Sequence, residues 1–194
     1  CFAISQTADP MGPYTRYEFV FPRFNDYPHI GIWQDSSGKR NGYYFTVHEF
    51  ATTFQGASFV VVDRDRMLAG APAAQVAMVR FPNFDAYGAL PPHLEGTTLA
   101  ADGACAPFSH FDNSTSEYLF WDLCTDWTTP ANSTISTLPT RVAASAPFNN
   151  GIGQSPQAGT TSVLDTFASN LMYRASARAF PAGAPTQTSL VVNH

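Results

Sequence analysis

The stretch Asp26-Tyr27-Pro28-His29-Ile30-Gly31-Ile32-Trp33, followed by Gly42-Tyr43-Tyr44-Phe45-Thr46-Val47-His48-Glu49-Phe50, decides the fold. Pro28 biases Tyr27 toward an extended backbone, so residues 26–28 read as a turn that opens a short strand. Ile30 and Ile32 alternate with Gly31 and Trp33, the period of a strand. Residues 34–41 are polar and include Gly38, which suits an exposed loop tip. After Gly42 the chain resumes as aromatic and β-branched residues, which fit a pleated, half-buried surface. The two runs and their loop read as a β-hairpin.

Outward from the hairpin, Phe59-Val60-Val61-Val62 is a continuous apolar run that suits a strand buried on both faces. Before it, residues 2–5 and 14–21 read as strands divided by a turn at Asp9-Pro10 and Gly12, with Tyr17, Phe19 and Phe21 on one face. After it, Asp65-Arg66-Met67-Leu68-Ala69-Gly70 reads as one helical turn stopped by Gly70. Residues 75–81 form a strand closed by Pro82, and residues 83–108 a long Pro-, Gly- and Ala-rich connection. Tyr118-Leu119-Phe120-Trp121-Asp122-Leu123-Cys124 is a strong strand, and residues 132–144 an edge strand. Residues 146–161 read as a loop and 164–170 as one or two helical turns. Residues 171–180 are extended, with Met172, Arg174 and Ser176 on one face, and Leu190-Val191-Val192 is a last strand. Many short strands with regular turn signals indicate an all-β sandwich, barrel or propeller. Aromatic-rich groups recur at roughly 40–50 residues, the spacing of propeller blades. The expectation is an all-β chain of β-propeller-like blades of antiparallel strands, one domain or a fragment of one over 1–194, with an incomplete ring.

The 194 residues are 44% hydrophobic and 14% aromatic, enough for a core, but only 13% charged. The usual charged share is about 25%. Ser, Thr, Asn, Gly and Pro replace the charges, as in a secreted β-protein with polar, uncharged loops. A net charge of -5 opposes a nucleic-acid or anionic-membrane surface, which would be basic. No run approaches the ~20 apolar residues of a membrane helix. The chain opens at Cys1 without a charged and then apolar leader, the form expected of a mature or trimmed product.

Three cysteines, Cys1, Cys105 and Cys124, match no CxxC metal or redox spacing. Cys105 with Cys124 is the preferred disulfide, closing a loop back to a neighbouring strand. The alternative leaves all three unpaired, with Cys124 a small apolar strand residue. Asn113-Ser114-Thr115 and Asn132-Ser133-Thr134 have the form of glycosylation acceptors, a form that chance also supplies in a Ser- and Thr-rich chain.

Ala3-Ile4-Ser5-Gln6-Thr7 with Asp9-Pro10, Gly12 and Tyr14-Thr15-Arg16-Tyr17 resembles the opening of one blade in a group of large secreted microbial β-propeller proteins with sialidase-like architecture. An Asp-Tyr-Pro, Gly-x-Trp, Tyr-Tyr block is that group's signature, matched at Asp26 to Pro28, Gly31 to Trp33 and Tyr43-Tyr44. Asp63-Arg64, Met67-Leu68-Ala69-Gly70, Leu90-Pro91-Pro92, Asp126-Trp127, Leu171-Met172-Tyr173-Arg174 and the closing Leu190 to His194 follow in order. The similarity spans nearly the whole chain. His29 stands where the group has a lysine, and Asn170 and Ala177 where it has Arg and Tyr. The resemblance implies a secreted or cell-surface location and a propeller extending beyond both ends of the chain. It carries no settled activity.

The residue types bear on three chemistries. A sialidase-like hydrolase needs arginines for the substrate carboxylate, because a planar guanidinium pairs a carboxylate bidentately. It also needs a Tyr/Glu nucleophile pair and an Asp acid. Arg16, Arg174 and Arg178, Tyr43 or Tyr44, Glu49, and Asp26 or Asp35 supply those types. The histidines, His29, His48, His93, His110 and His194, show no metal-ligand spacing, so no metal and no cofactor are expected. Asp63-Arg64-Asp65 and Phe111-Asp112-Asn113 offer oxygen ligands to calcium, but ordinary Asx turns explain them better. No G-x-S-x-G elbow marks a serine nucleophile. Trp33, Tyr43, Tyr44, Trp121 and Trp127 offer sugar-stacking faces, although core and inter-blade packing is the favoured role of each.

The leading expectation is an extracellular binding or structural module whose partner is a glycan, another protein chain or a copy of itself. Trp33, Tyr43, Tyr44, Glu49, Arg174 and Arg178 are its candidate ligand contacts. The alternative is a sialidase-like glycoside hydrolase acting on extracellular glycans.

Overall fold

The computed structural model describes residues 1–145, 154–166, 170–181 and 187–193. The chain is all-β, built from several mostly antiparallel sheets. β1 (Phe2–Ser5) and β2 (Tyr14–Tyr17) form a hairpin. β3 (Phe24–Trp33), β4 (Gly42–Phe50), β5 (Phe54–Asp63) and β6 (Met78–Phe84) form an antiparallel meander in chain order, with the short helix α1 (Arg64–Leu68) after β5. β7 (Pro92–Glu95) leads to a second sheet. There β8 (Ala106–Asp112) pairs one edge of β9 (Glu117–Cys124), while β10 (Thr134–Ile135) and β11 (Thr140–Ala143) divide the other. β12 (Gln154–Pro156) and β13 (Val163–Asp165) make a hairpin. β14 (Met172–Phe180) lies between β15 (Gln187–Asn193), antiparallel, and β7, parallel. Among the described residues the sheets close into no barrel or ring.

The meander is the middle layer, and its period-two alternation explains why. Tyr44, Phe59 and Val61 face the β8–β9 sheet, where they meet Phe108, Trp121 and Leu123. The Phe59 ring stacks on Phe84 at 4.4 Å and on Phe108 at 4.7 Å between centroids. Phe45, Val47, Val60 and Val62 face the other way, onto Tyr17, Met67 and the partly buried Phe2, Ile4, Phe19 and Phe21. Every residue of β5 from Gly56 to Asp63 is therefore buried, as an unbroken apolar run requires. Burying one such large apolar side chain contributes roughly 1.5–3 kcal/mol. A third cluster, Leu90, Phe111, Leu171 and Ala175, seats β14 and β15.

Several elements differ from the sequence expectation, each for a physical reason. Residues 26–28 are not a turn: β3 runs through them with a register shift between Asp26 and His29 and a positive φ of 53° at Tyr27. Pro28 has no N–H to give a ladder, and an edge strand with a bulge is where a sheet tolerates that. β6 likewise continues past Pro82 because it is the opposite edge. The strand expected over 14–21 stops at Tyr17, yet Phe19 and Phe21 reach the same cluster as Tyr17 from irregular backbone. The supposed connection 83–108 contains β7, whose parallel partner is β14, far along the chain. β3 lies against β7 so closely that a Cβ at Gly31 would sit 2.1 Å from the Pro92 carbonyl oxygen, so only glycine fits. Within residues 164–170 the helical expectation fails at its start, because Val163–Asp165 pairs with β12 as a strand. Residues 146–153 of the expected loop, 167–169 of the expected helical turns, and His194 lie outside the described residues.

Candidate functional site

The loop between β3 and β4 is not a free tip. Asp35 is fully buried, and its carboxylate gathers three donors: the Ser37 hydroxyl, the Arg40 N–H at 2.9 Å and the Gly103 N–H at 2.8 Å. Burial alone pushes the Asp35 carboxyl up. The hydrogen bonds, helped by the Arg40 charge, outweigh it and hold the group below the usual range. Asn41 at the loop's end is also buried, and each of its polar ends is engaged. Its amide donates to Asp65, its side-chain oxygen accepts from Arg64 at 3.3 Å, and its carbonyl accepts from Trp127 Nε1 at 2.8 Å.

Those bonds draw together three segments far apart in sequence. Residues 37–40, the β5–α1 corner at Asp63, Asp65 and Arg66, and residues 125–128 after β9 enclose a cleft of about 730 Å³. The Asp63 carboxylate caps α1 by accepting from the Arg66 N–H at 3.1 Å. Burial, with the Asp65 charge, raises its pKa against that bond. Asp126 accepts from the Thr128 and Thr129 N–H groups, both at 2.9 Å, and its own N–H is held by Ser133 Oγ. Beneath the cleft the buried Tyr44 hydroxyl donates to the Arg40 carbonyl at 2.8 Å, and Thr125 donates to the Lys39 carbonyl at 3.2 Å. Burial pushes the Tyr44 phenol up, so it stays a neutral donor. The disulfide Cys105–Cys124, with Cα atoms 4.6 Å apart, anchors the segment that carries Thr125 to Thr128.

The residues singled out from sequence separate into several places. Trp33 is 2% exposed and gives its indole N–H to the Ala104 carbonyl at 2.9 Å. Tyr44 and Trp121 are core residues, while Trp127, half-buried, lines the cleft. Tyr43 is half-buried under the Arg64 guanidinium, 5.6 Å from its ring centre. It shares a smaller cavity of about 220 Å³ with Tyr173, His93 and Arg174. Arg174 lies 3.9 Å from Glu95, and Arg178 rests 5.9 Å from the Phe180 ring. Glu49 is buried elsewhere, accepting from Ser58 Oγ and Arg80 Nε, each at 2.6 Å, with Arg23 at 3.7 Å. Tyr43 and Glu49 share a face of β4 but stand six residues apart, about 20 Å along a strand. Tyr44 points to the opposite face. Asp26 bonds the Tyr27 N–H, and Arg16 is exposed on β2.

Lys39, Arg40, Arg66 and Asp126 were missed in the sequence. The signals that could find them are the polar 34–41 run, which reads as an exposed loop tip, and the Asp126-Trp127 pair, of which the sequence singles out only Trp127, as a sugar-stacking face with core packing favoured. Asp63 and Asp112, weighed for calcium, use their carboxylates to cap α1 and to close a turn onto Ser114. Among the described residues no group of three or more His, Cys, Asp and Glu side chains is set to hold a metal ion, and no helix is long and apolar enough to cross a membrane. No family model, no curated protein and no solved structure matches this chain.

Proposed function

We propose that this protein is an extracellular binding module that holds a glycan in the cleft around Trp127. The observation that carries the reading is the half-buried Trp127, its indole N–H fixed on the Asn41 carbonyl while the residue lines a polar cleft of about 730 Å³. An indole held in one orientation offers a flat apolar face to a sugar ring at little ordering cost. Hydroxyl, carboxylate and cationic groups around it match a polyol, and the volume falls in the range of roughly 300–1,000 Å³ usual for small-ligand sites. The Cys105–Cys124 bridge suits an oxidising, extracellular compartment. The module is read as part of a β-propeller, supported by the four-stranded antiparallel meander β3 to β6, which is the unit of a blade. The hydrolase alternative has less support, because Arg174 and Arg178 engage Glu95 and Phe180 on one strand while Glu49 is committed to Arg80.

A glycan array followed by calorimetry on the hits tests the reading. The wild type binds at least one oligosaccharide and returns it uncleaved. Trp127→Ala weakens that binding at least tenfold, and Trp127→Phe restores part of it. Absence of binding across the array sinks the proposal, and cleaved product turns it into the hydrolase.

A further inference from the structure

We infer that the glycan this cleft takes is acidic, a sugar chain bearing carboxylate or sulfate groups. The inference rests on the glycan reading and goes on to the ligand's charge. Three acids and three bases meet at the cleft, and their hydrogen bonding is opposite. Asp63 is occupied by the Arg66 N–H, Asp65 by the Asn41 amide, and Asp126 by the Thr128 and Thr129 N–H groups. Each of these carboxylates gives one oxygen, Oδ1, to the protein's own donors, which stiffen the walls. The Lys39, Arg40 and Arg66 side chains form no salt bridge and no side-chain hydrogen bond among the described residues. Arg40 adds a separate observation, since its Nε is buried and meets no acceptor. A buried donor without a partner is uncommon in a folded protein, and a charged one more so. Arg40's charge acts through space on Asp35, whose oxygens are already filled by Ser37 and two backbone N–H groups. Two guanidinium groups and an ammonium thus line one concave site with no carboxylate among the described residues hydrogen-bonded to them. Their natural counterpart is an oxyanion, which a guanidinium binds bidentately and more strongly than it binds a neutral hydroxyl. A neutral glycan would leave those donors to water.

Two matched probe pairs decide it: oligogalacturonate against its methyl ester, and a sulfated galactan oligosaccharide against its desulfated form. Calorimetry is run with wild type, Lys39→Ala, Arg66→Ala and Arg66→Glu, all exposed positions whose folding is checked by circular dichroism. The expected result is a preference of tenfold or more for the acidic member of at least one pair. That preference falls several-fold in each alanine variant, vanishes in Arg66→Glu, and shrinks as salt rises. Equal affinity for the two members of both pairs overturns the inference and leaves the glycan reading standing. So does a preference indifferent to Lys39 and Arg66. If neither these probes nor the array glycans bind, both readings fall together.

Discussion

Two regions where arginines stand near carboxylates, the β4 end at Glu49 and the cleft, differ in which partner is left over. At the far end of β4, Glu49 is buried and takes Ser58 Oγ, while Arg80 and Arg23 close on it. The acid is the shared centre and the cations are the shell. At the cleft the arrangement is reversed: each aspartate has one oxygen held by N–H donors, and the Lys39, Arg40 and Arg66 side chains form no salt bridge among the described residues. The lesson is that a cluster of charged residue types says little until each hydrogen-bonding capacity is followed to its partner. Glu49 ties β4 to Arg80 of β6 and to Arg23, whereas the cleft cations are left for the ligand proposed above.

The largest effect that sharpens this contrast is on the buried side. Glu49→Ala leaves Arg80, with a side chain 19% exposed, beside no carboxylate. Removing one partner of a buried pair costs about 3–5 kcal/mol. Denaturant unfolding should show that loss, and the double variant Glu49→Ala, Arg80→Leu should recover part of it. Arg66→Ala should stay within about 0.5 kcal/mol of wild type, as for an exposed side chain away from any network. A Glu49→Ala loss below about 1 kcal/mol would erase the distinction between the two regions.

Much of the fold was legible because it depends on local pattern. The apolar run in β5 announces burial on both faces, and the aromatic and β-branched run of β4 and the aromatic-rich run of β9 announce one strand each. Cys105 with Cys124 is the preferred pair in the sequence because the segment between them can return to a neighbouring strand, with an unpaired alternative beside it, and the structure joins them. The parallel pairing of β7 with β14 was not legible, since nothing in Pro92-His93-Leu94-Glu95 signals a partner about eighty residues away. The cleft was hidden for a similar reason. Its three walls are distant in sequence, and the residue that pins its main loop, Asp35, looks like any loop aspartate until Gly103 is seen to donate to it.

A smaller effect comes from His48, the neighbour of Glu49 on β4. Both are buried, but on opposite faces, and His48 forms no salt bridge among the described residues. Its ring packs on Tyr87 at 4.0 Å, Tyr27 at 5.1 Å and Phe54 at 5.6 Å, and its Nε2 accepts the Gly88 N–H at 2.9 Å. That bond requires a neutral ring. Burial lowers its pKa from 6.5 to about 4, with the nearby His29 adding to the shift and Asp26 opposing it. Below pH 6.5 the unfolded chain takes up a proton that the native state refuses, so stability falls with pH. The contribution is whole above about pH 6.5 and is lost progressively down to about pH 4. Unfolding midpoints across that window should decline in wild type and decline less steeply in His48→Gln, where His29, His93 and His110, also lowered by burial, still contribute. Parallel slopes for the two proteins would show that His48 is not the group responsible.

The smallest effect tests the arginines that sequence reasoning placed on one face. On β14, Arg174, Ser176 and Arg178 point outward, with Ala175, Ala177 and Ala179 buried beneath them. Residues four apart on a strand stand roughly 13 Å from each other, too far for one carboxylate to bridge. Arg174 has only a long 3.9 Å approach to Glu95, with both side chains more than 40% exposed, and Arg178 rests on Phe180. Exposed pairs of this kind contribute about 0–1 kcal/mol, and salt screens them further. Arg174→Ala and Arg178→Ala should therefore each shift stability by less than about 0.5 kcal/mol. Binding of the cleft's oligosaccharide should be unchanged in both, because neither residue lines the cleft. A loss of binding in either variant, at unchanged stability, would move the ligand site from the Trp127 cleft to the cavity shared by Tyr43, Tyr173 and Arg174. The cleft would then be the second region whose charges serve only the fold, and the contrast with Glu49 would disappear.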